Sequence, residues 1–88
     1  MSKNREGLLQ DFQKNKYNRT LEEVEELLHS YGFIERAASK EASVWKRGPI
    51  GLTLPRPKTD TLLASYVSLV IRKIREAEET GIPEERQP

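Results

Sequence analysis

His29 is the only imidazole in this 88-residue sequence, and so the only side chain with an ordinary pKa near neutrality. It would be the default general base in acid–base chemistry. Its surroundings argue against that role. No nucleophile stands at helical spacing from it, and it falls off the apolar stripe of its segment, towards solvent and away from a sheet. The Ser43 hydroxyl has no titration near neutral pH and nothing nearby to activate it, and Asp60 and Glu41 are carboxylates without a paired acid. Cysteine is absent, which excludes disulfides and thiolate ligands, and a lone histidine makes no zinc site. Neither the glycine-rich nucleotide loops nor HExxH or GxSxG occurs. The sequence therefore predicts no metal and no cofactor.

What remains is charge. Fifteen Lys and Arg against fourteen Asp and Glu leave a formal +1, so net charge names no partner. Its distribution is uneven. Glu22, Glu23, Glu25 and Glu26 crowd one segment, whereas Arg36, Lys40, Lys46, Arg47, Arg56 and Lys58 follow with Glu41 as the only acid among them. Such a run suits a surface facing an anion, RNA included. It equally suits solvated charge that keeps edge strands from aggregating.

These cations lie in and just after a stretch, Tyr31 to Pro55, that holds most of the β-forming residues. Phe33-Ile34, Val44-Trp45 and Leu52-Thr53-Leu54 are separated by AASKEA and RGPIG, which predicts an antiparallel meander with strands at 33–37, 42–47 and 51–55. Alternation sets Ser43, Trp45 and Arg47 on one face and Ala42, Val44 and Lys46 on the other. Trp45 reads as core first and as a stacking platform for a base second. The uncovered face of the meander is the first candidate for a functional surface.

Helices must cover the other face. Thr20 and Glu23 form a capping-box pattern, Leu21, Val24, Leu27, Leu28 and Tyr31 follow at helical spacing, and Gly32 supplies a stop, predicting a helix over 21–31. A second long helix starts from a cap at Thr59, Asp60 or Thr61 and carries a stripe from Leu62 to Ile74, with Arg72, Lys73 and Arg75 near its end. Before both, Leu8, Leu9 and Phe12 make a sticky stripe on a short helix that docks on the domain or on another chain. The predicted organisation is an extension over 1–18, a domain over 19–77 and a disordered tail over 78–88. No apolar run of membrane-spanning length and no signal-peptide pattern occurs, so a cytoplasmic protein without membrane contact is expected.

The pattern LEEVEELLHSYGFIERAASKEASVWKRGPIGLTLP resembles the HicA (YcfA-like) family of small toxin proteins. Leu27-Leu28 and Gly32-Phe33 match the family's helix end and first strand. Val44-Trp45 matches its aliphatic–aromatic pair, and Leu52 to Pro55 its third strand. The likeness covers about Leu8 to Ile74. It implies an α+β fold like the double-stranded-RNA-binding domain: α-β-β-β-α with a three-stranded antiparallel sheet, here with an extra short N-terminal helix. Active members are mRNA interferases that cut RNA with a strand-2 histidine and are silenced by a HicB-type antitoxin. In this chain that histidine slot falls on Ala42 and Ser43, and the preceding glycine–serine pair on Lys40 and Glu41. The resemblance thus implies the scaffold without the chemistry.

Three readings follow. One is a HicA-like domain without ribonuclease activity that binds RNA through Arg36, Lys40, Lys46, Arg47, Arg56 and Lys58, or binds a HicB-like antitoxin. Another is an active interferase with relocated catalytic groups, His29 among them. The last is an oligomerising module whose Leu8, Leu9 and Phe12 stripe docks on a neighbour.

Overall fold

A computed structural model describes residues 4–85. Among these, three helices and five strands follow the order α1 (Arg5–Lys14), β1 (Arg19–Thr20), α2 (Leu21–Ser30), β2 (Ile34–Ala38), β3 (Ala42–Arg47), β4 (Ile50–Pro55), β5 (Thr61–Leu62) and α3 (Ala64–Thr80). The fold is α+β, with β2, β3 and β4 forming a three-stranded antiparallel sheet in that spatial order. The β3–β4 register runs unbroken from Ala42 opposite Pro55 to Arg47 opposite Ile50, and Gly48-Pro49 closes it as a two-residue turn. Gly48 has φ +60°, the positive value a tight hairpin turn needs at its first central residue. A bulge interrupts β2 between Glu35 and Ala37.

The predicted alternation holds. Ser43, Trp45 and Arg47 are all buried on the face that meets the helices, with Leu52 and Leu54 beside them. Val24, Leu27 and Leu28 of α2 and Val67, Val70, Ile71, Ile74 and Ala77 of α3 complete the core. The capping box at Thr20 is formed: the Glu23 N–H donates to Thr20 Oγ1 and the Thr20 N–H to Glu23 Oε1, both at 3.1 Å. Gly32, at φ +81°, ends α2, and a Cβ there would collide with Glu84.

Several expectations are corrected. Thr59, Asp60 and Thr61 do not cap α3. Thr61 and Leu62 instead pair with Arg19 and Thr20 in a two-stranded ladder, and α3 begins after Leu63 with no side-chain cap. The helix runs on to Thr80, which leaves Arg72, Lys73 and Arg75 short of its last turn. The tail expected to be disordered from 78 is bonded in place as far as Glu85; residues 86–88 lie outside the described residues. The Glu85 N–H donates to the Gly32 carbonyl at 2.8 Å, and Glu85 pairs with Arg36. The stripe on α1 docks inside the chain: Phe12 is 1% exposed within the core, and Leu8 and Leu9 pack against it. The Arg19 guanidinium covers the Phe12 ring at 4.3 Å.

Candidate functional site

Ala42 lies on the open face of the sheet together with Val44, Lys46, Gly51 and Thr53. Ala42 is half-buried there. Ser43 points the other way: it is fully buried, and its Oγ accepts the Trp45 indole N–H at 3.0 Å. That bond satisfies the one polar atom of a tryptophan sealed in the core. Ser43 is a structural acceptor, unreachable by substrate. With Trp45 inside, no aromatic ring among the described residues stands on the open face of the three strands, so stacking with bases has no platform there.

His29 differs from expectation. It is exposed, yet its ring lies edge-on against Trp45, with centroids 4.9 Å apart and planes at 82°. The end of α2 therefore sits on the sheet, with the imidazole as a lid over the tryptophan. Glu25 lies one turn earlier on α2, and Glu35 is the cross-strand neighbour of Trp45. Burial pushes the Glu25 carboxyl up from its ordinary value, and the Glu35 charge adds to this, while Arg56 and His29 oppose it. One imidazole, two carboxylates and a guanidinium thus share one end of the helix–sheet seam. No cluster of His, Cys, Asp and Glu fit to hold a metal ion occurs among the described residues.

The expected cations divide into three groups. Arg47 is 4% exposed and structural: Nη1 donates to the Tyr31 carbonyl at 2.9 Å, Nε to the Ile82 carbonyl at 2.9 Å, and Nη1 also pairs with Glu78 at 2.8 Å. It ties the end of α2 and the chain after α3 to β3, and it is not available to a ligand. Arg36 is exposed but neutralised by Glu85. Lys40, Lys46, Arg56 and Lys58 remain exposed, and none of them has an ion pair within 4.0 Å among the described residues. Arg56 is held in position: Nε donates to the Ser39 carbonyl at 2.6 Å, and its N–H to the Glu41 carbonyl at 2.8 Å. Lys40 and Arg56 are thereby gathered at the β2–β3 turn, beside position 42, with Lys58 just beyond. Lys46 shares the open face but lies four residues along the strand, about 13 Å away.

The chain matches no family model, no curated protein and no solved structure. Among the described residues no helix is long and apolar enough to cross a membrane.

A second cationic region adds Lys16 to the Arg72, Lys73 and Arg75 group of α3. An open groove of about 770 Å³ between α1 and α3 is lined by Lys16, Arg72, Lys73 and Arg75, with Glu76 and Glu79 at its side. Lys73 pairs loosely with Glu76 at 3.8 Å. Arg72, Lys73 and Arg75 are neighbours in sequence, and Lys16 joins them only once α1 docks, which linear order conceals.

Proposed function

We propose that this chain is a HicA-like domain, with the α-β-β-β-α plan of the double-stranded-RNA-binding domain, that binds RNA without cutting it. The observation that carries this reading is the Arg56–Ser39 bond. It holds a guanidinium next to Lys40, with Lys58 nearby, at the end of the sheet where the family's histidine slot is filled by Ala42. A phosphate at this end meets fixed positive charge, and position 42 itself offers it no imidazole. The α2-β2-β3-β4-α3 order of a helix-backed antiparallel sheet supports the fold assignment.

Fluorescence polarisation with labelled single- and double-stranded RNA tests it. Binding is expected at low salt, falling steeply as salt rises, because each phosphate contact releases counterions. Replacing Lys40 and Lys58 together by Ala should flatten the log–log salt slope for single strands by about 1.4. The parent should leave the RNA intact. Absence of binding at low salt would remove the RNA reading and leave a protein partner of the HicB type.

One observation favours a second reading, cleavage with His29 as proton acceptor: the ring approaches the sheet beside Glu25 and Arg56. Parent protein that cuts RNA, with the activity lost in His29→Ala, would establish it. Intact RNA after prolonged incubation with the parent would end it.

A further inference from the structure

Tyr17 is 70% exposed and Leu63 69% exposed, and among the described residues no other large hydrophobic side chain lies open to solvent. The β1–β5 ladder brings the two to one place. Arg19 opposes Leu62 there, so Tyr17, two residues before Arg19, and Leu63, one after Leu62, stand at the same end of the ladder. Tyr17 is also the only Phe, Trp or Tyr among the described residues that the fold leaves exposed.

The turn that carries Tyr17 is pinned on both sides. Its N–H donates to Asn15 Oδ1 at 3.1 Å, and Asn18 takes φ +59°, a left-handed value that asparagine tolerates. Arg19 then donates from Nε to the Asn15 carbonyl and from Nη2 to the Asp11 carbonyl, both at 3.0 Å. A fixed backbone that shows an aromatic ring to solvent loses little freedom when a flat ligand settles on it.

Cations collect at this same end. α1 and α3 run antiparallel: Arg5 lies 3.8 Å from Glu78 near the end of α3, whereas Lys16, just past α1, lines the groove with Ser68 and Arg72. Helical rise sets Glu76 and Glu79 about 6 and 10 Å beyond Arg72, on the side away from Leu63. The acids of the groove thus stand apart from Tyr17, and the cations beside it. Lys14, Lys16 and Arg72 have no ion pair within 4.0 Å among the described residues.

We propose that Tyr17 is a stacking platform for an unpaired base of single-stranded RNA whose phosphates lie on Lys16 and Arg72, with Leu63 as the apolar flank. A π face for the base and a positive groove for the backbone are the two parts that single-strand binding requires. A protein partner would use Tyr17 and Leu63 as well, but the cations around them select a polyanion. Lys58 is at most about 18 Å from Leu63 along the chain, so one strand can touch both this patch and the turn at Lys40 and Arg56. The inference rests on RNA as the ligand and adds its strandedness, because a duplex keeps its bases paired and offers none to Tyr17.

Fluorescence polarisation at low salt tests it, with labelled oligouridylate, an abasic oligomer of equal length and charge, and an RNA duplex. Tyr17→Ala should weaken oligouridylate binding about tenfold and leave the abasic and duplex affinities unchanged. Tyr17→Trp should bind oligouridylate at least as tightly as the parent. Lys16→Gln combined with Arg72→Gln should flatten the log–log salt slope for single strands by about 1.4. The Tyr17 ring lies outside the core, so its variants should keep the parent's circular dichroism spectrum. Should they lose it, ultraviolet cross-linking of the parent to oligouridylate decides, with attachment expected at Tyr17 by mass spectrometry. Single-strand binding indifferent to Tyr17→Ala, an equal loss on the abasic oligomer, or cross-links only elsewhere overturns this inference and leaves RNA binding standing. A parent that binds none of the three ligands overturns both, and turns Tyr17 and Leu63 over to a protein partner.

Discussion

Arg47 shows how little a residue's type says about its place. Three donors of its guanidinium are spent on the carbonyls of Tyr31 and Ile82 and on Glu78, all beyond the reach of local sequence. Arg47→Ala leaves those carbonyls without their donor and should cost about 3 kcal/mol. For a domain of this size that lowers Tm by about 12 °C or more in a thermal melt. Hydrogen exchange at residues 82–85 should accelerate in the same variant. Two glutamates of α2 make a paired test. Glu23 accepts the Thr20 N–H and pairs with Arg19, which holds its carboxyl below the ordinary value. A depressed folded pKa contributes stability above the unfolded pKa and loses it as pH falls through the folded one. Glu25 is raised by burial and by Glu35, so its ionisation opposes folding once the pH exceeds the ordinary carboxylate value. At pH 7, Glu23→Gln should therefore lower Tm and Glu25→Gln raise it. Both differences should shrink towards acid pH, where the parent carboxyls carry their protons in both states.

At the scale of elements, α1 is part of the core, and Phe12 is what makes it so. Phe12→Ala should cost about 3–5 kcal/mol, read from urea unfolding. A chain starting at Asn18 should lose cooperative folding, because α2 and α3 would lose the packing that α1 and Phe12 provide. Which elements were legible follows from their physics. The capping box at Thr20 and the stripe behind it are local, and α2 begins at the residue they predict. The alternation in β3 is local too. It already set Arg47 on the face of Trp45, yet its charge argued for solvent, and only partners distant in sequence resolve that conflict. The β1–β5 ladder is two residues long on each side, too short for any periodicity to announce it. The same holds for His29. Helical spacing sets it off the apolar stripe, and the stripe does not reveal how closely the end of α2 approaches Trp45.

At the scale of the molecule, a net charge of +1 conceals a separation: glutamates along α2, and, among the described residues, cations without an ion pair at the end of the sheet and at Arg72 and Arg75 of α3. The tail after α3 reads in sequence as a breaker-rich, charged segment with nothing to pack. Its order comes from bonds to Gly32, Arg36, Arg47 and Gly48, every one made by a residue on the sheet or just before or after one of its strands. At the opposite end of the chain Arg5 reaches the same place, its Nη1 2.6 Å from Glu84 Oε2. The first turn of α1 and the chain after α3 thus meet, and among the described residues the fold is a ring closed by an ion pair. A short covalent bridge between the start of α1 and the segment at Glu84 would turn the thread into a loop without redirecting a single strand.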